Sequence, residues 1–117
     1  METQIECCIR GYHVYQDIWE AAVDEDLVCR PERSNAHDWY AVAVMKNDLV
    51  VGHLPSKFSR LYTLFMRRGG VILCRVTGRR RYSSDLPQGG LEIPCVLLLK
   101  GSSKELNKLK KLKRTCT

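Results

Sequence analysis

The chain has 117 residues, the usual size of one domain, and its 44% hydrophobic and 27% charged residues are ordinary for a soluble globular protein. The apolar runs, such as residues 95–99, are far below the roughly 20 residues of a membrane span, and the N-terminus shows no secretory signal, so we expect neither membrane contact nor secretion. The net charge of +6 is uneven: residues 1–59 sum to −5 and residues 60–117 to +11. This asymmetry favours an anionic partner for the second half, although cations that only solvate the surface would give the same charge.

The first half of the chain predicts strands. Residues 5–15 are rich in β-branched, aromatic and Cys side chains, which favours a strand. Residues 16–26 are ambiguous, because their apolar side chains would also suit a helical turn. Residues 27–29 predict a short strand, and residues 34–38 have the Ser, Asn and Asp composition of a loop. Residues 40–45 and 49–54 then predict a hairpin.

A helix is predicted at residues 56–68. Pro55 stands at its start, and Gly69 with Gly70 ends it. Four apolar side chains have the spacing of one helix face, which we expect to pack on the core rather than to bind a ligand: Phe58, Leu61, Leu64 and Phe65.

The remaining chain predicts two strands, at residues 71–78 and 91–100, joined by a polar loop whose length suggests a function. After them comes a basic tail, in which Ser102 and Glu105 have the spacing of a helix capping box. The pattern predicts a mostly β fold, a small OB- or SH3-like barrel of five or six strands with one α-helix near 56–68. We divide the chain into a domain at 1–101 and a loosely attached basic C-terminal helix or tail at 102–117.

The six cysteines lie mostly in apolar runs, and without a secretory signal we expect all six to be free thiols. No Cys-x-x-Cys spacing occurs, and the three histidines are not spaced like zinc ligands. The sequence therefore predicts no metal and no cofactor.

Two motifs in the centre of the chain carry a resemblance. They are Asn35-Ala36-His37-Asp38, which leads into the apolar run 40–45, and Val51-Gly52-His53-Leu54. Together with Gly11 to Tyr15 and the closing strand from Ile93-Pro94 to Gly101, they resemble the HIRAN family of small β-barrel domains over residues 5–101.

The resemblance implies a module that binds the 3′-hydroxyl end of single-stranded DNA and is not an enzyme. It implies that Asp38 accepts a hydrogen bond from the terminal hydroxyl, while Asn35 and His53 support the last nucleotide and its phosphate. His37 stands where the family has Tyr, His13-Val14 replaces an Arg-Tyr pair, and Lys57 is nearest to a family lysine. Because stacking and charge are reduced, we expect micromolar or weaker affinity. Tyr12, Tyr15 or Trp39 could supply the missing aromatic face.

Arg79, Arg80 and Arg81 beside Tyr82 could clamp phosphates and stack a base, or could be a solvated strand end. The predicted DNA-binding set is His13, Tyr15, Asn35, His37, Asp38, His53, Lys57, Arg79, Arg80, Arg81 and Tyr82. Structural alternatives remain open: Asn35 and Asp38 could cap their own loop, and His53 could be a core histidine. Of Trp39 and Tyr40, we expect one to be in the core.

The residues bear on three other functions. Nuclease or hydrolase chemistry is disfavoured, because the second half has only three carboxylates and His37 is a sequence neighbour of Asp38. RNA binding, or protein interaction on a HIRAN fold that has lost end recognition, stays open. The basic run 110–114 resembles a nuclear import signal, so we expect a nuclear or otherwise cytoplasmic protein that could work with a larger DNA-repair or remodelling partner.

Overall fold

A computed structural model describes residues 1–82, 90–110 and 112, apart from the side chain of His13. The strands are β1 (Glu2–Arg10), β2 (Asp26–Pro31), β3 (Val42–Lys46), β4 (Leu49–His53), β5 (Val71–Val76), β6 (Arg81–Tyr82) and β7 (Leu91–Lys100). The helices are α1 (Tyr12–Tyr15), α2 (Ser59–Arg67), which follows a 3₁₀ turn at Ser56–Phe58, and α3 (Ser103–Asn107). None of the helices in these residues has the length and apolar character needed to cross a bilayer.

Six strands form a closed antiparallel barrel in the order β1-β4-β3-β2-β5-β7, and β7 pairs again with β1. The short strand β6 pairs with Leu91 and Glu92 at the start of β7, before the part of β7 that pairs with β5. The longest pairing joins β1 to β7, from Glu2 opposite Lys100 to Arg10 opposite Glu92. The predicted small barrel of five or six strands and the helix near 56–68 are therefore confirmed.

The barrel core follows the period-two pattern of its strands. Alternate side chains point inward, such as Ile5, Cys7 and Ile9 of β1, which are at most 4% exposed. Leu106 and Leu109 also belong to this core, at 2% and 1% exposure. The expectation of a loosely attached C-terminal segment is wrong for these residues, because their leucines fill the core. The boundary between 101 and 102 stays a prediction.

The predicted first strand, residues 5–15, begins three residues too late and ends five residues too late. β1 ends at Arg10, because Gly11 takes a left-handed φ of 79° and turns the chain into α1. The Tyr12 hydroxyl then donates to the carbonyl of Trp19 at 2.8 Å, and the two rings meet edge to face. No helix forms at residues 16–25, where the described backbone consists of turns and irregular segments, and residue 26 already begins β2. The short helix α1 places Tyr15 at the end of β4.

The buried face of α2 agrees with the predicted one only in part: Phe65 is buried and Phe58 packs against the core, but Leu61 is 39% exposed. Tyr62, Ser59 and Thr63 are buried as well. The helix is rotated toward its two hydroxyl residues, because each finds a hydrogen-bond acceptor on the segment before β3. Polar groups can be buried at little cost when they are paired in this way.

Gly52 of the Val-Gly-His-Leu motif has a packing role. A Cβ at this position would lie 2.3 Å from Ile9 Cγ2 and 3.0 Å from the carbonyl oxygen of Arg10. Arg10 is also the residue that pairs with His53 across β1 and β4. The absence of a side chain at Gly52 therefore allows β1 to pack closely against β4 next to His53.

The cysteines fall into two groups. Cys7, Cys29, Cys74 and Cys95 are free, buried thiols. Hydrogen bonds with Cys29 and Cys95, together with burial, raise the pKa of Cys74 well above its usual range. Cys8 lies on the other face of β1 and is disulfide-bonded, so the expectation of six free thiols is wrong at this residue. Cys116 lies outside the described residues.

This difference predicts a two-stage alkylation pattern. In the native protein without reductant, the four core thiols should resist iodoacetamide because they are at most 4% exposed. After unfolding, still without reductant, these four should react and Cys8 should not. Peptide mapping by mass spectrometry measures both stages. Alkylation of Cys8 before reduction would contradict the disulfide.

Candidate nucleic-acid interface

The segment between β2 and β3, residues 32–41, is folded around Asn35. The Asn35 side-chain oxygen accepts the backbone N–H groups of His37 at 2.9 Å and Asp38 at 3.0 Å. Its amide nitrogen donates to Glu32 Oε1 at 2.9 Å. Asn35 thus stabilises the loop through both the oxygen and the nitrogen of its amide, which is the structural alternative that the sequence predicts for it.

Asp38 joins this loop to α2. Its Oδ1 accepts the backbone N–H of Tyr40 at 2.9 Å, and its Oδ2 accepts the hydroxyl of Ser59 at 2.9 Å. One turn further along the helix, Thr63 donates to the carbonyl of Tyr40 at 2.8 Å. The carboxylate is half-buried and oriented from two sides. Because each carboxylate oxygen can accept two hydrogen bonds, Asp38 keeps the capacity to accept a further donor.

His53 ends β4 and lies beside a carboxylate. Its Nε2 is 3.1 Å from Glu32 Oε1, the same oxygen that accepts Asn35. The ring of Tyr15 lies at a tilted angle, with 6.4 Å between the ring centroids. His53 is half-buried rather than a core residue. The negative charge of Glu32 disfavours binding of a phosphate beside the His53 ring, because two anions would then lie at one site.

These contacts connect α1, the 32–41 segment, β4 and α2 through one group of residues, which we call the Asp38 cluster: Tyr15, Glu32, Asn35, Asp38, His53 and Ser59. Glu32 and Ser59 were missed by the sequence reasoning. No local pattern marks them, since each meets its partner 21 positions away in sequence.

The predicted basic residues lie in two different settings. Arg79 and Arg80 are exposed and line a surface cleft of about 630 Å³ together with Tyr12 and Gln16 of the α1 region. Arg80 Nη1 is 3.5 Å from the Gln16 side-chain oxygen, next in sequence to Tyr15. The cleft contains no residue of the Asp38 cluster, and Gln16 is what links it to the neighbourhood of Tyr15.

Arg81 is different, because its Nε donates to the buried carboxylate of Glu92 at 3.3 Å. Its charge is already balanced, and its first role is to pair β6 with β7. Tyr82, the next residue, is 75% exposed. Residues 83–89 of the predicted functional loop lie outside the described residues.

His37 and Lys57 are not among the residues that form the Asp38 cluster. His37 is exposed at the tip of the loop, and Lys57 is exposed two residues before Ser59, with its ammonium 5.4 Å from the Phe58 ring centroid. His13 belongs to α1, but its side chain lies outside the described residues. Neither Trp39 nor Tyr40 enters the core: Trp39 is 75% exposed and Tyr40 half-buried, because both precede β3 in a turn. That expectation was wrong.

Within residues 1–82, 90–110 and 112, no group of three or more His, Cys, Asp or Glu side chains is arranged to hold a metal ion. The Asp38 cluster offers two carboxylates, a histidine and an aromatic ring at the open surface. This set can accept hydrogen bonds from hydroxyl groups and can contact a base or sugar.

A scan against models of known protein families found no match, and no curated protein matches the chain. Among solved structures, the chain is similar to the HIRAN domain of human HLTF, with a TM-score of 0.72 and 15% identity over 93% of this chain and 84% of that one. It is also similar to a protein from Lactobacillus plantarum, with a TM-score of 0.57 and 18% identity over 86% of this chain and 100% of that one. At such identities, the likeness concerns the fold. This chain has the fold of a HIRAN domain.

Proposed function

We propose that this chain is a non-catalytic module that binds single-stranded DNA and recognises its 3′-hydroxyl end. The HIRAN fold supports nucleic-acid binding. The observation that carries the finer proposal is the carboxylate of Asp38, which Tyr40 and Ser59 orient while it remains partly open to solvent. An oriented carboxylate is a hydrogen-bond acceptor with no donor of its own, so it suits a terminal hydroxyl.

The second carboxylate strengthens the preference for a hydroxyl over a phosphate. Glu32 lies one hydrogen bond from Asn35, and Asn35 in turn binds the backbone of Asp38. A terminal phosphate would bring two negative charges toward this pair of acids. A hydroxyl would bring none. In this proposal Asn35 positions the two acids, and His53 with Tyr15 forms the wall against which the last sugar or base rests.

The negatively charged backbone of the strand would then lie on the cations around the cluster. Lys57, Arg79 and Arg80 are exposed, and no ion pair joins them to an acid among the described residues. His37 and Tyr82 offer exposed rings on which bases could stack. We assign Arg81 a weaker part in binding, because Glu92 already balances its charge.

The direct test compares ends on otherwise identical oligonucleotides. Fluorescence anisotropy should measure binding of a 3′-hydroxyl strand, a 3′-phosphate strand, a circular strand and a strand ending in a ribonucleotide. A 3′-phosphate loses the donor to Asp38 and adds repulsion, so it should bind about five- to 150-fold more weakly than a 3′-hydroxyl. Equal affinity for all four would overturn end recognition. Preference for the ribonucleotide end would make RNA the ligand.

A further inference from the structure

A second surface is lined by Trp39, the residue that follows Asp38. Arg33, Trp39 and Arg67 line an open cleft of about 460 Å³, formed where the 32–41 segment meets the C-terminal turn of α2. Trp39 is 75% exposed, although tryptophan is usually largely buried. We call these three residues the Trp39 cleft. None of them belongs to the Asp38 cluster.

The exposure of Trp39 is imposed by its neighbours. The N–H of Tyr40 donates to Asp38 Oδ1 at 2.9 Å, and the N–H of Ala41 donates to the Asp38 carbonyl at 3.1 Å. The carbonyl of Tyr40 accepts Thr63. Since the backbone is fixed on both sides of Trp39, the ring lies outside the core before any ligand arrives. The backbone at this point therefore loses little conformational entropy when a ligand binds.

Positive charge is concentrated at the Trp39 cleft, because two of its three lining residues are arginines, Arg33 and Arg67. The guanidinium groups of Arg67 and of Arg60 also lie 5.7 and 5.6 Å from the ring centroid of Tyr40, the residue after Trp39. No ion pair joins Arg33, Arg60 or Arg67 to an acid in the described part of the chain. By contrast, Arg68, the next residue after Arg67, lies 3.6 Å from Glu105. The charge around the cleft is therefore available to an anionic ligand.

A flat exposed indole between unpaired guanidinium groups matches the chemistry of unpaired nucleotides. Bases in a single strand present their faces for stacking, and the phosphates on either side require cations. Arginine suits phosphate because its donors form a planar fork. We propose that the Trp39 cleft is a second subsite for single-stranded nucleic acid: one base stacks on Trp39, and Arg33 and Arg67 hold the flanking phosphates.

The geometry of α2 relates this subsite to the proposed end site. Ser59, Thr63 and Arg67 recur every four residues and so follow one side of the helix, beginning at Asp38 and ending at the cleft. Eight residues of α-helix span about 12 Å. A single strand of a few nucleotides can therefore occupy both sites. That one strand occupies both rests on the proposed function.

Tryptophan fluorescence gives a direct readout, because the chain has two tryptophans and the other, Trp19, is 5% exposed. Oligo-dT should quench the emission of the native protein, and Trp39→Phe should remove the quenching. Trp39→Ala should weaken binding of hydroxyl-ended and circular strands alike, by about five- to 150-fold, as expected for the loss of one stacked base. Because Trp39 is exposed, its removal should leave the thermal midpoint unchanged.

Charge variants test the phosphate contacts. Arg33→Gln and Arg67→Gln should each reduce the slope of log K against log salt by about 0.7, as expected for one phosphate contact on a single strand. Lys104→Gln, which removes an exposed charge on α3, is the matched control and should leave slope and affinity unchanged.

The outcomes separate the two proposals. If Trp39→Ala weakens all strands while the native protein does not distinguish 3′ ends, the cleft stands and end recognition fails. If the protein still distinguishes 3′ ends while Trp39→Ala and the arginine variants have no effect, the proposal of a second subsite is wrong. If the protein binds no single-stranded nucleic acid, both proposals are wrong, and an acidic protein becomes the expected ligand of the cleft.

Discussion

Replacing Asp38 with Asn should remove most of the discrimination between a 3′-hydroxyl and a 3′-phosphate strand. The amide keeps one oxygen that can accept a hydroxyl donor, but it no longer repels a phosphate. Affinity for the phosphate end should therefore rise toward that for the hydroxyl end, and the ratio should fall from about five- to 150-fold toward unity. Anisotropy titrations with the two strands measure this ratio directly.

The control for charge is Asp48→Asn. Asp48 is exposed in the two-residue turn between β3 and β4, so its substitution removes the same charge away from the cluster. It should strengthen both complexes slightly and equally. Ser59→Ala should have an intermediate effect on the ratio, because Asp38 then loses the hydroxyl that orients Oδ2. If Asp38→Asn weakens both strands by the same factor, Asp38 shapes the loop and does not contact the end.

The fold was largely predictable because its strands obey local rules. The runs that became β3, β4, β5 and β7 are short, rich in β-branched residues and bounded by turn residues, and their barrel followed from this pattern. The prediction failed at Gly11, where a left-handed φ of 79° turned the backbone although the side chains after it favour a strand. Tyr12 then packs on Trp19, seven residues further on.

The candidate site was predictable only in its local contacts. Asn35 and Asp38 could be predicted as loop-forming residues because their bonds span two or three positions. The pairing of Glu32 with His53 could not, since it depends on how β2, β3 and β4 align. The orientation of α2 depended likewise on acceptors that the folded 32–41 segment supplies to Ser59 and Thr63. DNA-end binding and a nuclear location stay predictions.

Gly52→Ala should destabilise the protein by about 1–3 kcal/mol, the usual cost of adding a methyl group to a packed interior. The new Cβ would lie 2.3 Å from Ile9 Cγ2 and 3.0 Å from the Arg10 carbonyl oxygen, so β1 must shift away from β4. Since Arg10 is the register partner of His53, this shift should also disturb the Asp38 cluster. Urea denaturation measures the free energy of unfolding, and anisotropy measures the accompanying loss of DNA affinity.

A double-mutant cycle with Ile9→Ala tests this cause. Ile9→Ala alone should cost about 2–5 kcal/mol by leaving a cavity. It also removes the Cγ2 atom that the new methyl group would meet, so Gly52→Ala should cost less in this background than in the native one. Gly11→Ala is the matched control: its cost comes from the φ of 79°, and a Cβ there meets no atom within 4 Å, so truncating Ile9 should not reduce it. An equal cost of Gly52→Ala in both backgrounds would show that the Arg10 carbonyl oxygen, rather than Ile9, sets the requirement for glycine in this motif.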